Sequence, residues 1–202
     1  MDFLGLRNLD VITDTLEIIA GTRGEVVDID HVRLDDEATF SLLQRAETMG
    51  VFQLEGTQMR ALIRSLAPTS FEDVAALVAL YRPGPMSVEY FHPDAEELLG
   101  DTYGLMIYQE SVMRVAQLFA GYSLAQADNL RKACGKKNRE VMAREREAFE
   151  DGVEATGYGP DLGRQLFDII ENFADYAFNK SHSYGYGLVA YQTAYLKANY
   201  GP

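Results

Sequence analysis

Apolar side chains recur every third or fourth residue along most of this chain, and that period constrains the fold more than any other feature. Leu9, Ile12, Leu16 and Ile19 begin the series, and Met59, Leu62, Ile63 and Leu66 resume it. Phe71, Val74, Leu77, Val78 and Tyr81 follow, then Val112, Val115, Ala116 and Phe119. Leu162, Leu166, Ile169, Ile170 and Phe173 come next, and Tyr184, Leu188, Tyr191 and Tyr195 close the chain. A 3.6-residue turn stacks such positions on one face. The expected fold is mainly α, with one short strand over the apolar run at residues 3–6.

Glycine, proline and capping residues divide the pattern into elements. Gly21 is expected to close the first helix, and residues 24–32 to form an extended connector. Leu34-Asp35-Asp36-Glu37 reads as a helix start whose acids favour the positive end of the dipole, with the helix running to about residue 47. Gly50-Val51-Phe52-Gln53-Leu54-Glu55-Gly56 reads as a brief extended piece. Thr57 opens a helix that Pro68 stops. Ser70 caps the next, with Asp73 in the capping-box position, and Arg82-Pro83-Gly84-Pro85 ends it because proline lacks an amide donor. Residues 86–103 read as an acidic loop with one turn of helix, and residues 109–119 as an amphipathic helix. Ser123 caps a helix that Gly135 interrupts, leaving Lys136 and Lys137 on the turn beyond. Residues 141–153 form a charged, mostly solvent-facing helix.

The chain carries a formal charge of −13, yet five of its 18 lysines and arginines fall within residues 130–139. Such a patch on an acidic body reads as a seat for a polyanion, phosphate or nucleic-acid backbone; a solvated loop is the other reading. It is not a Walker loop, because the position five before Gly135 is Leu130 and the one after Lys136 is Lys137. Arg131 and Lys132 on a helix end, followed by two more lysines, instead suit a triphosphate. Asn179-Lys180-Ser181-His182-Ser183 gathers donors at a helix start, where an anion is favoured, and capping by Ser181 or Ser183 explains it equally. His31, His92 and His182 are far apart and lack metal-ligand spacing. A single cysteine, Cys134, excludes a disulfide framework and suits a reducing cytoplasm; a small interior residue is its default role. No run is long enough to span a bilayer, and no signal peptide is evident. Both ends read as cut from a longer chain.

Seven ordered motifs carry a resemblance. They are Asp2 with Phe3-Leu4-Gly5-Leu6, Gly50-Val51-Phe52-Gln53-Leu54-Glu55, Arg82-Pro83-Gly84-Pro85, Tyr108-Gln109-Glu110, Leu130-Arg131-Lys132-Ala133 with Gly135-Lys136-Lys137, Phe178-Asn179-Lys180-Ser181-His182-Ser183, and Tyr191-Gln192-Thr193 with Leu196-Lys197-Ala198. Together they resemble the α subunits of bacterial DNA polymerase III, C-family replicative polymerases, over nearly the whole chain. The resemblance implies the end of the palm over residues 1–22 and the helical fingers domain over 23–202. It places one of three catalytic metal-binding carboxylates on Asp2, the other two lying outside this chain, so that a two-ion Mg2+ site exists only in the complete enzyme. Arg131 and Lys132 map to the cations that hold the incoming nucleotide's triphosphate. Arg82, Lys136 and Lys137 are further nucleotide-binding candidates, and Lys180, Ser181 and His182 are candidates for nucleotide or DNA contact.

The implied partners are primer–template DNA, a deoxynucleoside triphosphate (dNTP), the remainder of the α subunit and a holoenzyme with a sliding clamp. The implied place is the cytoplasm, with no membrane. The fragment alone is expected to be inactive. Residues 86–103 are shorter than the family's usual connection, and Cys134 stands where family members usually have Met. Two rivals remain. One is the same region of an error-prone C-family paralogue; the other is a non-catalytic helical module that binds nucleic acid or protein.

Overall fold

The computed structural model describes residues 5–80, 92–136, 139–173 and 178–201, with 135, 136 and 139 described by backbone alone. Ten α-helices account for most of them, and no strand occurs among the described residues. Of the expected strand, residues 3–4 lie outside them and residues 5–6 form no strand; the Arg82-Pro83-Gly84-Pro85 stop also lies outside them. The chain divides into two compact units, Met1–Tyr81 with Ser183–Pro202, and Arg82–His182. No described helix is long and apolar enough to cross a membrane.

In the first unit, α1 (Arg7–Arg23), α2 (Glu37–Gln44), α3 (Thr57–Leu66) and α4 (Phe71–Leu80) join most of α10 (Lys180–Tyr200). Helix α1 runs past Gly21 to Arg23, because Ile12 and Ile19 are buried with Leu196 and the chain turns only at Gly24. There φ is 70°, a left-handed cap whose N–H reaches the carbonyl of Ala20 at 3.1 Å. A short 3-10 turn, Ile29–His31, interrupts the expected extended connector. Helix α2 starts at the Asp36 cap and ends at Gln44, three residues before the expected stop.

Residues 50–56 form turns rather than an extended piece. Val51, Phe52 and Leu54 are all buried, whereas a strand would alternate them. The turn is fixed from α10: the Phe52 amide donates to Thr193 Oγ1 at 3.0 Å, and Lys197 Nζ donates to the carbonyls of Glu47 and Met49 at 2.7 and 2.8 Å. The capping box before α4 forms fully, with Ser70 Oγ accepting from the Asp73 amide and Asp73 Oδ2 accepting from the Ser70 and Thr69 amides. Tyr191 sits fully buried at the centre of this unit, its hydroxyl donating to the Arg33 carbonyl and accepting from the Asp36 amide.

The second unit holds α5 (Glu96–Leu99), α6 (Gln109–Phe119), α7 (Leu124–Lys136), α8 (Arg139–Ala155) and α9 (Pro160–Phe173). The one turn of helix expected in the acidic loop is α5, and 3-10 turns flank it at Pro93–Ala95 and Gly100–Thr102. Ala95, Leu99 and Met106 enter the core with Phe119, Leu130, Phe149 and Phe167. Helix α8 is mostly exposed, as its charge suggests, and turns Met142, Phe149 and Val153 inward. Arg146 ties α8 to α9 through Asp168 at 2.8 Å and Glu171 at 2.6 Å, and lies over the Phe167 ring. Gly135 does not interrupt α7, which continues to Lys136. Gly135 is the penultimate residue of that helix, and the buried Leu130, Ala133 and Cys134 anchor the turns before it.

Candidate functional site

The basic run begins on α7, and that helix decides which of its cations can act together. Ser123 and Gln126 close a reciprocal cap at the helix start, the Gln126 side chain accepting from the Ser123 amide at 2.9 Å. Ala127, Leu130, Ala133 and Cys134 face the core. Asp128, Arg131 and Lys132, spaced i, i+3 and i+4, are therefore neighbours on another face.

One carboxylate serves both cations. Asp128 Oδ1 accepts from Arg131 Nε at 2.9 Å and lies 2.8 Å from its NH2, while Asp128 Oδ2 meets Lys132 Nζ at 2.6 Å. Lys132, and then Arg131, hold the Asp128 carboxyl below the usual carboxylate range. It thus stays ionised at neutral pH, and its contribution is lost only as acid titrates it through that lowered value. Such exposed helix pairs add little to stability, because solvent screens them. Their consequence is orientation rather than stability. Arg131, about a third exposed, is held at one further point, its NH1 donating to Gln109 Oε1 at 3.3 Å.

Gln109 is the middle residue of Tyr108-Gln109-Glu110, which opens α6. All three reach another functional candidate. The Tyr108 segment pairs with Phe178 as an isolated parallel bridge: the Phe178 amide donates to the Ile107 carbonyl and the Gln109 amide to the Phe178 carbonyl. The buried Tyr108 ring lies under Lys180 Nζ at 5.6 Å. Glu110 accepts from the Lys180 amide at 3.1 Å and from Asn179 Nδ2 at 3.3 Å. Lys180 Nζ also faces Asp101 at 3.8 Å.

These contacts answer how the start of α10 is capped. Asn179, rather than Ser181 or Ser183, is the cap, its Oδ1 accepting from the His182 amide at 2.9 Å. With Glu110 on the Lys180 amide, two of the donors that the sequence offered to an anion already have protein partners. Ser181 and His182 are exposed on the first turn, and Ser183 turns inward to the Ala75 carbonyl.

The structure thus brings Arg131 and Lys180 to side chains at the start of α6, with Lys132 joined to Arg131 through Asp128. Lys136 ends α7 and is described by backbone alone, and Asp2, Arg82 and Lys137 lie outside the described residues. Among the described residues no three His, Cys, Asp or Glu side chains converge as a metal site. Sequence reasoning missed Asp128, Gln109, Glu110 and Asp101 as partners. Asp128 alone had a readable signal, its spacing to two cations.

The family described as the bacterial DNA polymerase III alpha subunit finger domain matches residues 8–157. The chain is also similar to proteins named DNA polymerase III subunit alpha. It is 53% identical to that of Mycobacterium tuberculosis over 99% of this chain, 47% to that of Pseudomonas aeruginosa over 98%, and 45% to that of Escherichia coli over 98%. The chain spans 19% of the length of each of these relatives. The alignment to the Mycobacterium protein runs over 220 positions against 202 residues here, so that relative has additional residues inside the aligned region.

Proposed function

Because this chain belongs to the finger-domain family of the bacterial DNA polymerase III alpha subunit, we propose that its cations hold the triphosphate of an incoming dNTP beside the nascent base pair. The observation that carries this is the pairing of Arg131 and Lys132 on one face of α7, each oriented by Asp128 and Arg131 also by Gln109. In nucleotidyl transfer the primer hydroxyl attacks the α-phosphorus, and pyrophosphate leaves carrying the developing charge. Cations fixed in advance around the β- and γ-phosphates stabilise that charge more than mobile ones, because no reorganisation is left for the moment of reaction.

On this reading residues 1–22 end the palm and 23–202 are fingers. Asp2 is a palm carboxylate that, with others outside this chain, holds Mg2+ in the complete enzyme. Arg82, Lys136 and Lys137 extend the phosphate seat, and Lys180, Ser181 and His182 contact nucleotide or primer–template DNA. The setting is a cytoplasmic replication assembly that contains the rest of the subunit.

The test is Arg131→Ala in the complete α subunit. The dNTP KM is expected to rise and kcat to fall, with a combined loss on the order of a hundredfold for a preorganised charge-stabilising donor. Affinity for primer–template DNA should be little changed. Unaltered nucleotide kinetics would remove the assignment.

A further inference from the structure

Asp128 and Gln109 carry no positive charge to offer a phosphate, yet between them they engage three nitrogens of the Arg131 guanidinium. Asp128 meets Nε and NH2 from the preceding turn of α7, and Gln109 meets NH1 from the first residue of α6. A guanidinium is a planar fork, so fixing it from two directions fixes its plane as well as its place. The second carboxylate oxygen of Asp128 draws Lys132 to the same point. Building on the triphosphate reading above, we infer that Asp128 and Gln109 are positioning residues, presetting Arg131 and Lys132 in the geometry a dNTP triphosphate requires.

Charge counting alone gives the opposite expectation for Asp128. The Asp128, Arg131 and Lys132 trio carries a net charge of one positive unit, and removing the carboxylate raises it to two. If the carboxylate were only a counter-ion competing with phosphate, its loss would strengthen nucleotide binding. If it aims the cations, its loss disperses two long side chains over many rotamers, and the turnover that depends on their placement falls. Gln109 separates the effects further, because replacing it changes no charge. Its neighbour Glu110 caps α10 independently, so the two ends of the motif are distinguishable by substitution.

The experiment uses the complete α subunit with the variants Asp128→Asn, Asp128→Glu, Gln109→Ala and Arg131→Ala, and the double variant Asp128→Asn/Arg131→Ala. Steady-state dNTP incorporation, primer–template affinity and thermal melting are measured for each. Asp128→Asn is expected to lower kcat/KM about tenfold, as for loss of a charge-assisted hydrogen bond, while DNA affinity holds or rises. Gln109→Ala should act in the same direction, Asp128→Glu should recover part of the loss, and melting should barely move. The double variant should be little worse than Arg131→Ala, since a positioning residue has less left to position. Unchanged or improved kcat/KM in Asp128→Asn and Gln109→Ala overturns the inference while leaving the triphosphate reading intact. Unchanged kinetics in Arg131→Ala overturns both.

Discussion

At the scale of the residue, Cys134 shows two opposing effects and which one wins. It lies two positions from Lys132 and from Lys136, and neighbouring cations lower a thiol pKa. Burial acts the other way, and with the thiol almost wholly enclosed in the core of the second unit it pushes the pKa up to about 11. The folded value lies above the unfolded value of about 8.5. Its contribution to stability is therefore complete below that value and is lost as pH rises through about 11. At pH 8 iodoacetamide should label the native protein at a small fraction of the rate seen in denaturant, with labelling following transient opening. Native labelling at the unfolded rate would show that the thiol reaches solvent. The inward-facing default read from the sequence agrees with this burial.

At the scale of the element, glycine is the residue most easily misread. Gly135 was expected to stop α7 and does not, while α1 passes through Gly21 and stops at Gly24. Local propensity is worth about 1 kcal/mol per glycine, less than burial of a single large apolar side chain. Gly152 in α8 reverses the usual advice to replace a helical glycine by alanine. A Cβ there would come within 2.5 Å of the Ala120 carbonyl oxygen at the end of α6. Gly152→Ala is therefore expected to destabilise the protein by about 1–3 kcal/mol, the usual cost of overpacking, despite the gain in helix propensity. Denaturant unfolding measures it, and a stabilised variant would mean that α6 and α8 can separate without cost. Capping was more legible, because the Ser70–Asp73 and Ser123–Gln126 pairs interact over three residues of chain and need nothing distant.

At the scale of the whole molecule, the charge is the property that matters for partners. The chain totals −13, and its described candidate cations stand beside carboxylates, Arg131 and Lys132 beside Asp128, and Lys180 beside Asp101. Non-specific attraction for nucleic acid should accordingly be weak and local. For primer–template DNA titrated into the 202-residue protein, a plot of log K against log salt is expected to have a slope of about −1 to −3, corresponding to a few phosphates neutralised. Binding of a dNTP to the same protein should fall in Arg131→Ala/Lys132→Ala. A slope near −10, or indifference to that double substitution, would locate the contact elsewhere on the surface.

What the sequence determined by itself was everything governed by neighbours along the chain: the helical period, the two capping boxes, the sign change at residues 130–139, and the ordered motifs by which the family is recognised. Tertiary structure decided what depends on residues far apart in number. The 50–56 segment is bent because Thr193 holds Phe52 and Lys197 holds the carbonyls of Glu47 and Met49 just before it, and α10 buries Gly187, Ala190 and Ala194 rather than Leu188 because small residues allow close approach, a Cβ on Gly187 meeting Ala75 at 3.0 Å. The Gln109–Arg131 contact is of the same kind, joining residues 22 positions apart. Period and capping act over one or two turns, and chain order carries them. A hydrogen bond between helices depends on how their buried faces pack, and that arrangement exists only once the core has formed.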